Sequence, residues 1–177
     1  MVRIHPGPLD PTIRRATAED ADALARGAVE GVADYVAFAP AGWAPPDLLA
    51  ELAHTRVVLA DPAFHCFVAE LAGEVVGQVT VVPAAKAARP VEDPALGHLR
   101  NLYVARTQWG SGLATALLRT AEQDARDRGF PTLRLFVAED QARARRFYGR
   151  EGWAPAGPPF FDPLPGLTMV EYRVRLD

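Results

Sequence analysis

Apolar and polar positions change period several times along this chain, and each change marks an element. Thr12 to Arg15 predicts a short strand. Thr17 then offers an N-cap, with Glu19 and Asp20 in the first turn, where the helix dipole favours acids. The helix it opens carries Ala23, Leu24, Gly27 and Ala28 and extends to about Val32. A second helix follows Pro45-Pro46, with Asp47 near its start and Leu48, Leu49 and Leu52 inside. Phe64 to Leu71 and Glu74 to Val82 are β-rich runs separated by Ala72-Gly73, which predicts an antiparallel hairpin. Pro83 ends the second strand. Ala84 to Pro94 has prolines and no apolar period, and reads as a mobile loop.

The second half is more regular. Gly97 to Ala105 predicts a strand, and Gly110 to Arg128 a helix with Leu113, Leu117, Leu118, Ala121 and Ala125 on one stripe. Gly129 supplies a left-handed stop, with Arg126 and Arg128 against the dipole. Thr132 to Val137 predicts a strand. Asp140 caps a helix that reaches Arg150 and ends at Gly152. A Pro-rich loop and a last strand, Leu167 to Leu176, complete the chain. The strand–helix–strand unit over 97–137 must be a right-handed parallel crossover. The order predicts a mixed sheet with helices on both faces, in the α/β or α+β class.

Composition narrows the classes. With 177 residues, 49% hydrophobic and 23% charged, the chain suits one packed domain over 11–177 behind a tail over 1–10. The net charge of −3 argues against a general nucleic-acid binder. A single cysteine, Cys66, excludes an internal disulfide framework. No apolar run approaches a membrane span, and the first ten residues do not form a signal peptide, so a soluble cytoplasmic domain is expected. Lysine occurs once, at Lys86, beside abundant arginine and alanine, a pattern associated with GC-rich bacterial genomes. Charge is uneven: residues 1–96 hold 7 basic and 13 acidic side chains, and residues 97–177 hold 12 and 9. The second half is therefore the more hospitable to anions.

The most informative segment is Trp109-Gly110-Ser111-Gly112-Leu113-Ala114, between a strand and an amphipathic helix. Small residues let a ligand approach the backbone, and the first helical turn has N–H groups without internal partners, so a diphosphate is the natural occupant. A ligand-free tight turn is the plain alternative. A P-loop would need a lysine after its last glycine, and none is present. A dinucleotide fingerprint would need glycine where Thr115 stands, with Glu139 or Asp140 as the ribose acid, and would make the chain an oxidoreductase.

The surrounding residues favour one reading. Leu99-Arg100-Asn101-Leu102-Tyr103-Val104-Ala105, the turn itself, and Ala144-Arg145-Arg146-Phe147-Tyr148-Gly149-Arg150-Glu151-Gly152-Trp153 together resemble the GNAT superfamily of N-acetyltransferases, strongly over 98–154 and more loosely elsewhere. Gly112 and Ala114 match the last two positions of the family's turn pattern, while Trp109 stands where glutamine or arginine is usual. The resemblance implies a mostly antiparallel sheet of about seven strands with one parallel crossover. It implies acetyl-CoA, without a metal, as cofactor. The pantetheine arm would pair with Leu102, Tyr103 and Val104. The phosphates would lie on Trp109, Gly110, Ser111, Gly112, Leu113 and Ala114, with Gln141 and Arg143 also near the cofactor.

The implied reaction is transfer of an acetyl or other acyl group to a primary amine of a small molecule or peptide, by direct attack through a tetrahedral intermediate. An amine of pKa ~10 is only about one part in a thousand neutral at pH 7, a barrier of roughly 4 kcal/mol that a general base helps to overcome. His98 stands where the family often has an acid, and Glu70 and Glu30 are weaker candidates. Tyr148 matches the family's tyrosine that donates a proton to the departing thiolate. Glu30, Asp34, Tyr35, Trp43 and Phe160 are expected to line the acceptor pocket, where carboxylates and aromatics would suit a cation with apolar surface. A CoA-binding sensor without catalysis is the alternative. Neither nucleic acid nor membrane is expected as a partner, and the chain would be a monomer or homodimer.

Overall fold

The computed structural model describes residues 10–176. The tail expected over 1–10 lies outside the described residues except for Asp10. The elements are β1 (Thr12–Arg15), α1 (Ala21–Val32), α2 (Leu48–Ala60), β2 (His65–Leu71), β3 (Glu74–Pro83), β4 (Leu96–Val104), α3 (Leu113–Asp127), β5 (Thr132–Ala138), α4 (Ala142–Arg150), β6 (Ala154–Pro155), β7 (Phe160–Asp162) and β8 (Leu167–Arg175). The eight strands form one sheet in the order β1-β2-β3-β4-β5-β8-β6, with β7 also paired to β8. Only β4 and β5 run parallel among the described pairs. The expected mixed, mostly antiparallel sheet is present, with one strand more than expected because the Pro-rich loop folds as β6 and β7.

Alternation along the strands assigns the two faces. Phe67, Ala69, Val79, Val81, Leu99, Leu133, Leu135 and Val137 pack with Leu113, Leu117, Leu118 and Ala121 of α3 and with Tyr148 of α4. On the other face, Cys66 and Val68 meet Leu24 of α1 and Val58 of α2. Near the start of α1, Asp20 accepts from the Thr17 backbone N–H at 2.7 Å and pairs with Arg14, which also holds Glu70. No helix among the described residues is long and apolar enough to cross a membrane.

Three boundaries differ from expectation. The helix predicted from Gly110 begins at Leu113, because Gly110 and Gly112 adopt left-handed φ values of 83° and 88°. The N-cap of α4 is Gln141 instead of Asp140, and no side chain caps that end. The loop expected to be mobile is anchored: Ala84 and Ala87 are buried, and Arg134 donates to the carbonyls of Ala88 and Arg89.

One irregularity opens the sheet. Thr80 pairs with Arg100 and Gln78 with Tyr103, so Asn101 and Leu102 together oppose Val79. This is a β-bulge, with Asn101 at φ 54°. Leu102 and Val104 consequently turn to the α3 face, while Tyr103 turns against Gly27 and Gly31 of α1. On the other edge of β4, pairing to β5 covers Leu96↔Thr132, Gly97↔Leu133 and His98↔Arg134 and then stops. Past His98 the two strands separate.

Candidate functional site

The gap between β4 and β5 sits beside the turn that precedes α3. Within that turn the Ser111 hydroxyl donates to the Gln108 carbonyl at 2.7 Å and accepts from the Leu113 N–H at 3.3 Å, and the Ser111 N–H bonds Gln108. The α-helical ladder starts with Ala116 bonded to Gly112. The backbone N–H groups of Gly110, Gly112, Ala114 and Thr115 have no acceptor among the described residues. A Cβ built on Gly110 or Gly112 would meet nothing within 4 Å, so the glycines serve backbone angle and leave open space. Free donors at the positive end of a 15-residue helix, facing open space, fit a diphosphate. Ser111 and Leu113, both expected to hold the ligand, are instead internal to the turn, and Leu113 is a core residue. Thr115, which was not anticipated, supplies a free amide.

Trp109 has a local role. Its Nε1 donates to the Val104 carbonyl at 2.9 Å, and the guanidinium carbons of Arg143 and Arg106 lie 3.2 and 4.9 Å from its ring centroid. The ring is 43% exposed, so it forms a platform at the edge of the turn and keeps Arg143 there. Arg145 points elsewhere, donating to the Tyr172 hydroxyl and the Glu139 carbonyl. Gln141, at the start of α4, is half-buried.

Tyr148 is 8% exposed and packs against Phe147, Trp153 and Tyr172. Its hydroxyl has no hydrogen-bond partner among the described residues. Burial pushes its pKa well up, and Tyr35, from the other side of the sheet, adds a smaller push. Tyr148 is therefore a protonated O–H donor across the ordinary pH range.

His98 lies in a different environment. It is 4% exposed, its Nδ1 has no partner, and its ring lies 5.0 Å from that of Phe136. Burial first, then the nearby Arg134 and Arg100, push its pKa down to about 3. This environment removes the basicity that a general base for an ammonium ion needs. Glu70 is held by Arg14. Glu30 accepts from the Tyr103 hydroxyl, whose pKa rises mainly by burial and then through that bond.

The expected acceptor residues divide into two groups. Tyr35, Trp43 and Phe160 gather with Phe38, Phe136, Leu167 and Met169. Tyr35 stacks on Trp43 and meets Phe38 at a tilt, and Trp43 donates to the Pro165 carbonyl at 2.7 Å. Glu30 and Asp34 are drawn away, to Tyr103 and Arg106. A cleft of about 140 Å³ opens between Phe38 and Pro40 on one side and Phe161 and Gly166 on the other, near the expected pocket. No predicted catalytic residue lines it. Among the described residues no three His, Cys, Asp or Glu side chains gather as metal ligands. Arg134 and Phe136 were missed in the sequence. The signal was there: a charge inside Thr132-Leu133-Arg134-Leu135-Phe136, at a position whose neighbours are core.

This fold and turn have clear relatives. Residues 31–153 match the acetyltransferase (GNAT) family, and the chain belongs to that family. It is 40% identical over 108 residues to N-acetyltransferase 8 of Mus musculus, covering 59% of this chain and 44% of that protein. Against N-acetyltransferase 8 of Homo sapiens it is 37% identical over 111 residues, covering 60% and 46%. The chain spans about half the length of these curated relatives. Among solved structures it resembles a GNAT-family protein of Desulfovibrio desulfuricans, with TM-score 0.72, 22% identity and coverage of 94% and 99%. It also resembles yncA of Salmonella typhimurium, solved with its cofactor acetyl-CoA, with TM-score 0.68, 19% identity and 95% coverage of both chains. These two likenesses are of fold. They set aside the dinucleotide-binding alternative, as does a sheet with one parallel pair. The mammalian relatives lend no support to the bacterial origin that composition suggested.

Proposed function

We propose that this chain is an acetyl-CoA-dependent N-acetyltransferase acting on a primary amine. The carrying observation is the set of free amides from Gly110 to Thr115, at the start of α3, beside the gap that the Asn101 bulge opens between β4 and β5. Gly110, Gly112, Ala114 and Thr115 would hold the diphosphate, with Arg143 on its Trp109 platform adding positive charge. Leu102, Tyr103 and Val104, unpaired on their β5 side, would receive the pantetheine arm, although the Val104 carbonyl is already taken by Trp109. Bound there, acetyl-CoA would supply an activated acyl thioester as the acyl donor to an amine.

The chain's own residues then divide the proton work. Tyr148 holds its phenolic proton in the gap and offers it as a hydrogen bond to a developing thiolate. Because a phenol is the weaker acid, complete transfer costs about 2 kcal/mol from ordinary values, so donation without full transfer is the economical role. His98 fills a packing and positioning role. The amine's proton passes to solvent, since Glu30 and Asp34 are engaged with Tyr103 and Arg106. Two measurements test the proposal: calorimetry with CoA, and thiol release from acetyl-CoA over a panel of amines. Binding with no release for any amine would favour the sensor reading, and no binding at millimolar CoA would remove both.

A further inference from the structure

The acceptor side of the cleft carries arginines that form no close ion pair; Glu171 and Glu51 act on Arg134 and Arg100 only at longer range. Arg134 leaves the middle of β5 on the α1 face and is 2% exposed. Its guanidinium donates to two main-chain carbonyls, Ala88 at 3.3 Å and Arg89 at 2.7 Å, and its Nε has no partner. His98, its direct partner in the β4–β5 ladder, has an unpartnered Nδ1. Among the described residues no carboxylate forms an ion pair with Arg89, Arg100 or Arg134. A buried guanidinium whose acid, Glu171, stands off without a direct hydrogen bond is costly, and a further negative charge nearby would lower that cost. The acids expected here, Glu30 and Asp34, are engaged with Tyr103 and Arg106.

Arg134 also sets the position of Arg89. Arg89 adopts φ 51°, a left-handed conformation that a residue with a Cβ holds only when its surroundings enforce it. The hydrogen bond from Arg134 ends on the carbonyl of Arg89 itself. As a result the exposed Arg89 guanidinium lies over Phe160, 3.8 Å from the ring centroid. Phe160 meets Phe136 edge-on at 5.2 Å, and Phe136 borders His98. A planar fork of donors is thus held on an aromatic floor next to the gap, with its hydrogen-bonding capacity left for a ligand.

Resting on the acetyltransferase reading, we propose that Arg89 is a specificity residue and that the acceptor is an apolar α-amino acid with a free carboxylate. Arg89 grips the carboxylate, and Phe160 and Phe136 take the apolar side chain. In an α-amino acid the amine and carboxylate share one carbon, so gripping one locates the other.

Thiol release from acetyl-CoA with L-phenylalanine, L-leucine, their carboxamides and phenethylamine tests this. The acids should exceed the amides and phenethylamine in kcat/KM by about tenfold or more, the effect of one charge-assisted contact. Arg89→Asn should erase that ratio and leave the KM for acetyl-CoA unchanged, since asparagine tolerates the left-handed backbone. Equal rates for acid and amide, or a ratio that survives in R89N, overturn the proposal and leave the acetyltransferase reading standing. Absence of thiol release with every amine counts against that reading instead. Calorimetry with N-acetyl-L-phenylalanine and its carboxamide then decides: carboxylate-dependent binding lost in R89N upholds the Arg89 site, and its absence in the wild type overturns it.

Discussion

The turn before α3 and the floor beneath the 84–94 loop face one gap and are built from opposite materials. The turn presents main-chain donors and the left-handed angles of Gly110 and Gly112. Its side chains are peripheral: Ser111 is turned inward, and Trp109 stands at the rim. The floor presents side chains, with Arg89, Phe136, Phe160 and His98 arriving from a loop and three strands. A main-chain site is indifferent to most substitutions but intolerant at its glycines. A side-chain site can change specificity through one residue without losing its frame.

The largest expected effect breaks the turn. Gly112→Glu puts a carboxylate and a strained angle where the diphosphate would lie, so CoA affinity in calorimetry should drop about a thousandfold, roughly 4 kcal/mol. Retained affinity would remove the turn from the site.

Next comes acid stability, which probes the floor. The folded pKa of His98 lies near 3 against an ordinary 6.5. Between those values the unfolded chain binds the extra proton, so stability present above pH 6.5 is lost as the pH falls toward 3. By pH 4 the loss should be about 3 kcal/mol from this residue. Urea unfolding of wild type and His98→Asn at pH 7 and pH 4 measures it; equal pH sensitivity in both would show that His98 is not the cause.

Tyr148→Phe sharpens the comparison, because Tyr148 packs against Phe147, Trp153 and Tyr172 and belongs to neither region. Its kcat should fall by about ten- to a hundredfold with CoA affinity nearly unchanged. Unchanged turnover would place Tyr148 among packing residues only. The smallest effect belongs to Trp109→Phe, which keeps a ring under Arg143 and removes the bond to Val104. CoA affinity should change by about two- to fivefold, and a change as large as that of Gly112→Glu would mean that side chains dominate the turn after all.

Legibility followed the same division. Both glycines, the α3 stripe and the Gly129 stop were readable because they are local: a turn conformation and a 3.6-residue period depend on near neighbours. The hairpin at Ala72-Gly73 and the crossover over 97–137 were readable for the same reason. The bulge at Asn101 was not, because it exists only as a mismatch with Val79 on another strand. Glu30 and Asp34 looked like acceptor ligands because a carboxylate in a helix does not reveal which cation it will meet. His98 looked like a base because an ordinary histidine titrates near neutrality, and its burial is a property of the assembled sheet.

By itself the sequence determined the element order, the parallel crossover and the glycine turn before α3, since each is dictated by residue size, backbone angle and periodicity within one short segment. Tertiary structure alone decided where β4 leaves β5, which acids were already paired, and that Arg134 would hold Arg89 over Phe160. Those outcomes depend on burial and on distances between residues up to 73 positions apart in the chain, as with Glu30 and Tyr103. Local patterns carry no record of such distances.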